Sequence, residues 1–226
     1  MSRTYNGEIA NLINGFLKDD DWNFSFDQEE GIFRFGLKLG NKLRSIRYVI
    51  KVNECDFSVY GISPVGPDEE DAEGMQSMAE YLCRVNYGLK SGCFEMDMED
   101  GEIRFRTYVY CKGVLPSEHM IRRSIYTVAA MFEHYGQGMT EVIFGGKSAK
   151  EAYDENEKRV SSRVDTARQL MELIRSSGSS DELHHSLLQL ADRRAAAPGQ
   201  EHGEDDEEDD AGEGEQDGPV DPDGDE

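Results

Sequence analysis

The stretch Cys93-Phe94-Glu95-Met96-Asp97-Met98-Glu99-Asp100-Gly101-Glu102-Ile103-Arg104-Phe105-Arg106 decides how this chain folds. Cys93 to Met98 and Glu102 to Cys111 both alternate in polarity, and Asp100-Gly101 between them is a strong short-range signal for a two-residue hairpin turn. With that pair as the loop, Met98 faces Ile103 and Met96 faces Phe105 on one side, while Asp97 faces Arg104 and Glu95 faces Arg106 on the other. Apolar meets apolar and acid meets base, the cross-strand pairs that stabilise a sheet. A slip of one residue would lose both agreements at once, because successive side chains of a strand point to opposite faces.

The segments on either side of this hairpin read as helices. Asp68-Glu69-Glu70-Asp71 places carboxylates where a helix N-terminus has unpaired N–H groups, and Met75, Met78, Ala79, Leu82 and Val85 follow as an apolar stripe. After the hairpin, Pro116-Ser117-Glu118 opens a long helix with the stripe Ile121, Ile125, Val128, Ala129 and Phe132, which Gly136 and Gly138 are expected to end. At the N-terminal end, Ile9, Leu12, Ile13, Phe16 and Leu17 recur at helical spacing up to Asp19-Asp20-Asp21. Trp22, Phe24 and Phe26 then share one face of a strand, Phe33, Phe35 and Leu37 that of a second, and Ile46, Tyr48, Ile50 and Val52 that of a third. Pairing Leu37 with Ile46, Phe35 with Tyr48 and Phe33 with Ile50 joins the second and third strands through a loop of Leu39 to Arg44. A fourth strand, Asp56 to Ile62, is stopped by Pro64 and Pro67. The order helix, strands, helix, hairpin, helix predicts an α+β fold, a mainly antiparallel sheet with helices packed on one face.

The run Ala79-Glu80-Tyr81-Leu82-Cys83-Arg84-Val85-Asn86, then Gly92-Cys93-Phe94-Glu95-Met96-Asp97, then Asp100-Gly101-Glu102-Ile103-Arg104-Phe105-Arg106 and the helix from Pro116 resembles the YbjN family of small bacterial proteins, described as sensory transduction regulators. That family shares its pattern with the type III secretion chaperone-like fold: a helix ending in Asn, a Gly-Xaa-Phe strand, an Asp-Gly turn, a second strand and a long helix. The resemblance extends from about Ile9 to Gly146. It implies a chaperone-like or regulatory protein-binding module that pairs into a homodimer. Its motifs are structural, and it implies no reaction.

Charge divides the chain. The formal net charge is −23, and the segment from Glu201 to Glu226 holds 15 acids with no Lys or Arg, against 32 acids and 24 bases before it. A run so rich in Asp, Glu and Gly buries almost nothing and repels itself, so a disordered tail is expected over 194–226. The organisation expected is therefore an α+β domain over 1–146, a helical C-terminal extension over 147–193, and the tail. Within the extension, Val160, Val164, Ala167, Leu170, Met171 and Ile174 form a helical seam, and Ser179 with Glu182 opens a short helix carrying Leu183, Leu187, Leu188 and Leu190. These helices either pack back on the domain or each other, or form a partner-binding arm.

No residue pattern points to catalysis, and the protein is expected not to be an enzyme and to need no cofactor. Cys55, Cys83, Cys93 and Cys111 form no C-x-x-C pair and read as small buried thiols; His184 and His185 point different ways on a helix, so no metal site is expected. Gly145-Gly146-Lys147-Ser148 ends like a phosphate-binding loop, but Glu141 stands where the loop's first glycine should be. Asp97, Glu99, Asp100 and Gly101 are explained by a hairpin rather than a calcium loop, whose glycine would fall one residue later. With neither a basic-then-apolar start nor a run of membrane-spanning length, the expected location is cytoplasmic.

One constellation remains. Between Gly31 and Asn53 lie Arg34, Lys38, Lys42, Arg44, Arg47 and Lys51 and no acid. In the predicted register Arg34, Lys38, Arg47 and Lys51 point away from the core, and Tyr108 and Tyr110 add aromatic surface on the same side. This is either a solvated sheet face or a partner-binding one. The function expected is non-enzymatic binding of a protein or peptide client. The competing expectation is regulation through the acidic tail, which would engage a basic partner or mimic nucleic acid; direct nucleic-acid binding is disfavoured by the net charge.

Overall fold

The computed structural model describes residues 5–159 together with 161 and 162. Its elements are α1 (Gly7–Asp19), β1 (Phe24–Asp27), β2 (Ile32–Lys38), β3 (Ser45–Val52), β4 (Asp56–Ile62), α2 (Ala72–Tyr87), β5 (Cys93–Met96), β6 (Ile103–Tyr110) and α3 (Glu118–Phe144), and residues 149–159 form a further helix, α4. All strand pairings are antiparallel, in the order β1-β2-β3-β4-β6-β5. The helices pack on one face, α2 against β5 and α3 against β4 and β6, with α1 and α2 both lying against α3. This is the α+β architecture that the hydrophobic alternation implies. The expected seam from Val160 to Ile174, the short helix beyond Ser179 and the acidic tail lie outside the described residues.

Two of the expected termini are made by side-chain caps. Asp71 accepts a hydrogen bond from the Gly74 amide at the start of α2, and Ser117 accepts one from Met120 at the start of α3. The β2–β3 pairing has the register read from the sequence, Phe33 with Ile50, Phe35 with Tyr48 and Leu37 with Ile46. Between sheet and helices, Phe33, Tyr48, Phe57, Phe105, Tyr81 and Phe132 are fully buried. The Tyr48 hydroxyl donates to the Ile125 carbonyl, so the deepest phenol of β3 is satisfied by the backbone of α3.

The β5–β6 hairpin differs from expectation in register. Phe94 faces Phe105, Glu95 faces Arg104 and Met96 faces Ile103, a shift of two residues, and the loop runs over Met98-Glu99-Asp100-Gly101. The Gly101 amide donates to the Asp97 carbonyl at 3.0 Å and the Glu99 amide to the Asp97 carboxylate at 2.9 Å. Gly101 takes φ +73° while Asp100 does not enter the left-handed region, so the two-residue turn, which needs both, is absent. A slip of two preserves which face every side chain occupies, and parity therefore did not reveal it.

Gly136 and Gly138 do not end α3; the helix continues to Phe144. They are sites of close approach. A Cβ at Gly138 would stand 2.1 Å from the Tyr81 hydroxyl, and one at Gly136 would stand 2.4 Å from a Leu43 methyl. The missing side chains let α2 and the β2–β3 loop reach the helix. The helical stripes of α1 and α2 also each differ from expectation at one residue. Ala10 is buried where Leu12 was expected and Leu12 is exposed, and Tyr81 rather than Ala79 fills the centre of α2. Cys83 is exposed on α2 rather than buried, because Tyr81, Leu82 and Val85 take the inward positions; Cys55 and Cys93 are half-buried and Cys111 is buried. In α4, Ala149 and Ala152 belong to the buried core, and Arg159 donates to the buried Glu141 of α3 at 2.9 Å.

Candidate functional site

Among the described residues, no helix covers the second face of the sheet. Its side chains form rows across the strands. One runs Ser25, Arg34, Val49, Tyr60, Arg106, Cys93; the next runs Gly36, Arg47, Ile62, Arg104, Glu95; a third runs Asp27, Ile32, Lys51, Ser58, Tyr108. Arg34, Lys38, Arg47, Lys51, Tyr108 and Tyr110 are all exposed on this face. The strand alternation that sends Phe33, Phe35, Tyr48 and Ile50 inward sends these residues outward.

The face is less uniformly cationic than the acid-free run from Gly31 to Asn53 suggests, since folding brings acids from other segments. Arg34 lies 3.8 Å from Glu30 across an exposed contact, and Arg47 lies 3.3 Å from Glu102, which follows the β5–β6 loop. Glu95 accepts from Arg104 at 2.8 Å and from Arg106 at 2.7 Å, so one acid neutralises both, and Asp97 does not serve Arg104 as expected. Burial opposes the charge of Glu95, but the hydrogen bonds from the two guanidinium groups outweigh it and hold the carboxyl below its ordinary value. Arg104 also stacks over Tyr60, 5.1 Å from the ring centroid, a contact that assigns the third aromatic of this face. The position of Tyr60 in the alternation of Asp56 to Ile62 marks it as outward-facing. Among the described residues Lys38 and Lys51 have no ion pair.

The motifs set aside in the sequence have structural explanations. Gly145 caps α3, Lys147 pairs with Glu155 and with Glu141, and Ser148 exchanges hydrogen bonds with Glu151 in a capping box that starts α4. Asp97 and Asp100 accept amides of their own loop. Among the described residues there is no group of three or more His, Cys, Asp or Glu placed to hold a metal ion, and no helix long and apolar enough to cross a membrane.

No family model matches the chain, and no curated protein matches it. Among solved structures, the crystal structure of YbjN from E. coli aligns over 60% of this chain and 95% of its own, at 10% identity and a TM-score of 0.43. The likeness is a distant one of architecture and stops short of family membership.

Proposed function

We propose that this protein binds a partner polypeptide without catalysing a reaction, and that it does so on the open sheet face bearing Lys38, Lys51, Arg34, Arg47, Tyr108 and Tyr110. One observation carries this reading. The two lysines are unpaired among the described residues, on a face that also presents Tyr60 and Tyr108 and that no described helix covers. Aromatic rings supply contact area at low entropic cost, and unpaired cations select for acidic segments. The competing reading, in which the segment beyond residue 198 engages a basic partner, rests on the concentration of acids there.

The two separate in one comparison. Wild type, the double variant Lys38→Glu/Lys51→Glu, and a chain ending at Pro198 are tested for capture of the same partner. A partner lost by the double variant and kept by the shortened chain supports the face. A partner kept by the double variant and lost on shortening overturns it in favour of the tail.

A further inference from the structure

The end of β6 is an unused sheet edge. β5 covers β6 only from Ile103 to Arg106, whereas β4 pairs with β6 along its whole length to Tyr110. The cause is Gly92. Its φ of +77° turns the chain away before a further pair can form, and a Cβ there would collide with the Phe105 ring. Thr107-Tyr108-Val109-Tyr110 is left with a neighbour on one side only among the described residues.

Hydrogen-bond parity shows which groups are free. The Ile103 carbonyl accepts from Ser63 beyond β4, and the Cys111 amide donates to Cys55, so odd-numbered residues of β6 direct their backbone groups toward β4. Asp97 donates to the Glu102 carbonyl, which puts even-numbered residues on the β5 side. Past the end of β5, the N–H and C=O of Tyr108 and Tyr110 therefore face outward with no strand opposite them. Beside this edge lies a groove between β6 and α3, lined by Ser91, Thr107, Val109, Met120, Arg123 and Thr127. Tyr108, Tyr110, Val114, Leu115 and Met120 are large apolar side chains exposed at this end of the fold.

The edge is cationic. Arg123 lines the groove, Lys90 precedes the lining residue Ser91, and Lys112 follows Tyr110 by two positions, and none of the three has an ion pair among the described residues. Of the acids in these elements, Glu118 is paired with Arg122, while Asp56 accepts from the neutral Asn53 amide and lies against Tyr108, one negative charge beside the three cations. We propose that an extended segment of a partner protein, alternating apolar and acidic residues, adds to the sheet as an antiparallel strand along Thr107 to Tyr110. Its backbone exchanges hydrogen bonds with Tyr108 and Tyr110, its apolar side chains enter the groove, and its carboxylates, which strand alternation sends to the opposite face, are attracted by Lys90 and Lys112 beside the edge. A second copy of this chain would instead bring the same cations together across the edge. The proposal rests on the reading that the protein holds a polypeptide, but it uses the edge of the sheet rather than its face.

The test is amide exchange on the full chain with a synthetic peptide of alternating valine and aspartate. At a peptide concentration about ten times its Kd, the Tyr108 and Tyr110 amides should slow about tenfold while those of Arg34 and Lys51 do not. Tyr108→Pro removes one outward N–H without touching the ladder to β4, and should abolish the protection of the Tyr110 amide and weaken binding. Peptide that binds without protecting Tyr108 and Tyr110 overturns the proposal; if that binding is lost in Lys38→Glu/Lys51→Glu, the face reading stands while the edge fails. Equal protection by a valine–lysine peptide overturns the acidic specificity. Protection in the free protein also overturns it, assigning the edge to a second copy if it grows with protein concentration and to the chain's own C-terminal segment if it vanishes on shortening to Pro198.

Discussion

Two hairpins of this sheet carry the same loop in different surroundings. Asp27-Gln28-Glu29-Glu30-Gly31 joins β1 to β2, and Asp97-Met98-Glu99-Asp100-Gly101 joins β5 to β6. In each, the glycine amide donates to the aspartate carbonyl, the amide two residues after the aspartate donates to its carboxylate, and the glycine has positive φ, +71° and +73°. The local chemistry is thus a property of the pattern Asp-x-Glu-x-Gly. What differs is the backing. Gly31 packs under the Tyr5 ring, a side chain close to the chain start, whereas Gly101 packs under the Pro67 backbone carbonyl. The arginines differ too: Arg104 and Arg106 share Glu95, while Arg34 has only a long exposed contact with Glu30.

The largest effect should come at Gly101. Gly101→Val places a β-branched residue at positive φ and drives its Cβ to 2.4 Å from a carbonyl that cannot rotate away, so urea melts should show a loss of about 3 kcal/mol. Gly31→Val carries the same backbone strain and drives its Cβ to 2.5 Å from Cγ of the buried Tyr5 ring, a side chain rather than a backbone carbonyl, so the loss should be smaller, about 2 kcal/mol. Equal losses would mean that the loop alone sets the cost and that its backing is immaterial.

Next comes the acid between two bases. Glu95→Gln should cost about 1 kcal/mol at neutral pH, since the carboxylate is partly buried and charge-paired. The sign of its pH dependence follows from the lowered folded pKa: the stabilisation is complete above the unfolded value of about 4.3 and is lost as pH falls through the folded one. Wild type and Glu95→Gln should therefore converge in stability in acid. A gap that persists there would show that Glu95 acts through packing rather than charge.

The smallest effects test the shared loop. Asp27→Ala and Asp97→Ala each remove a carboxylate that accepts loop amides, and each should lose about 0.5–1 kcal/mol in the same melts. Asp27 accepts from both Glu29 and Glu30 and should be the more costly of the two. A neutral Asp97→Ala would mean that the positive φ of Gly101 closes this loop without the side chain.

The repeated loop also shows where a better reading of the hairpin lay. Asp100-Gly101 taken alone suggests a two-residue turn, but Asp97 and Gly101 match Asp27 and Gly31 in spacing, and that match points to the longer loop. The outward placement of Arg34, Lys38, Arg47, Lys51, Tyr108 and Tyr110 was legible from alternation alone. The pairing of Arg34 and Arg47 with acids was not wholly so, because Glu102 reaches Arg47 only through the fold of the β5–β6 hairpin. The bare end of β6 follows from the shortness of β5, which one positive-φ glycine before Cys93 decides.

The sequence by itself determined the order of elements, the face of each strand residue and the helix starts at Asp71 and Ser117, because alternation and helix-start signals depend only on neighbours along the chain; the β2–β3 register agreed with the structure, but the two-residue slip at β5–β6 shows that alternation alone does not fix a register. Only the tertiary structure decided that Gly136 and Gly138 lie inside a helix, that Tyr81 fills the space above Gly138, and that Ala149 and Ala152 join the core. A glycine that breaks a helix and one that admits a neighbour's side chain look the same along the chain, and what distinguishes them is an atom contributed by a residue far away in sequence.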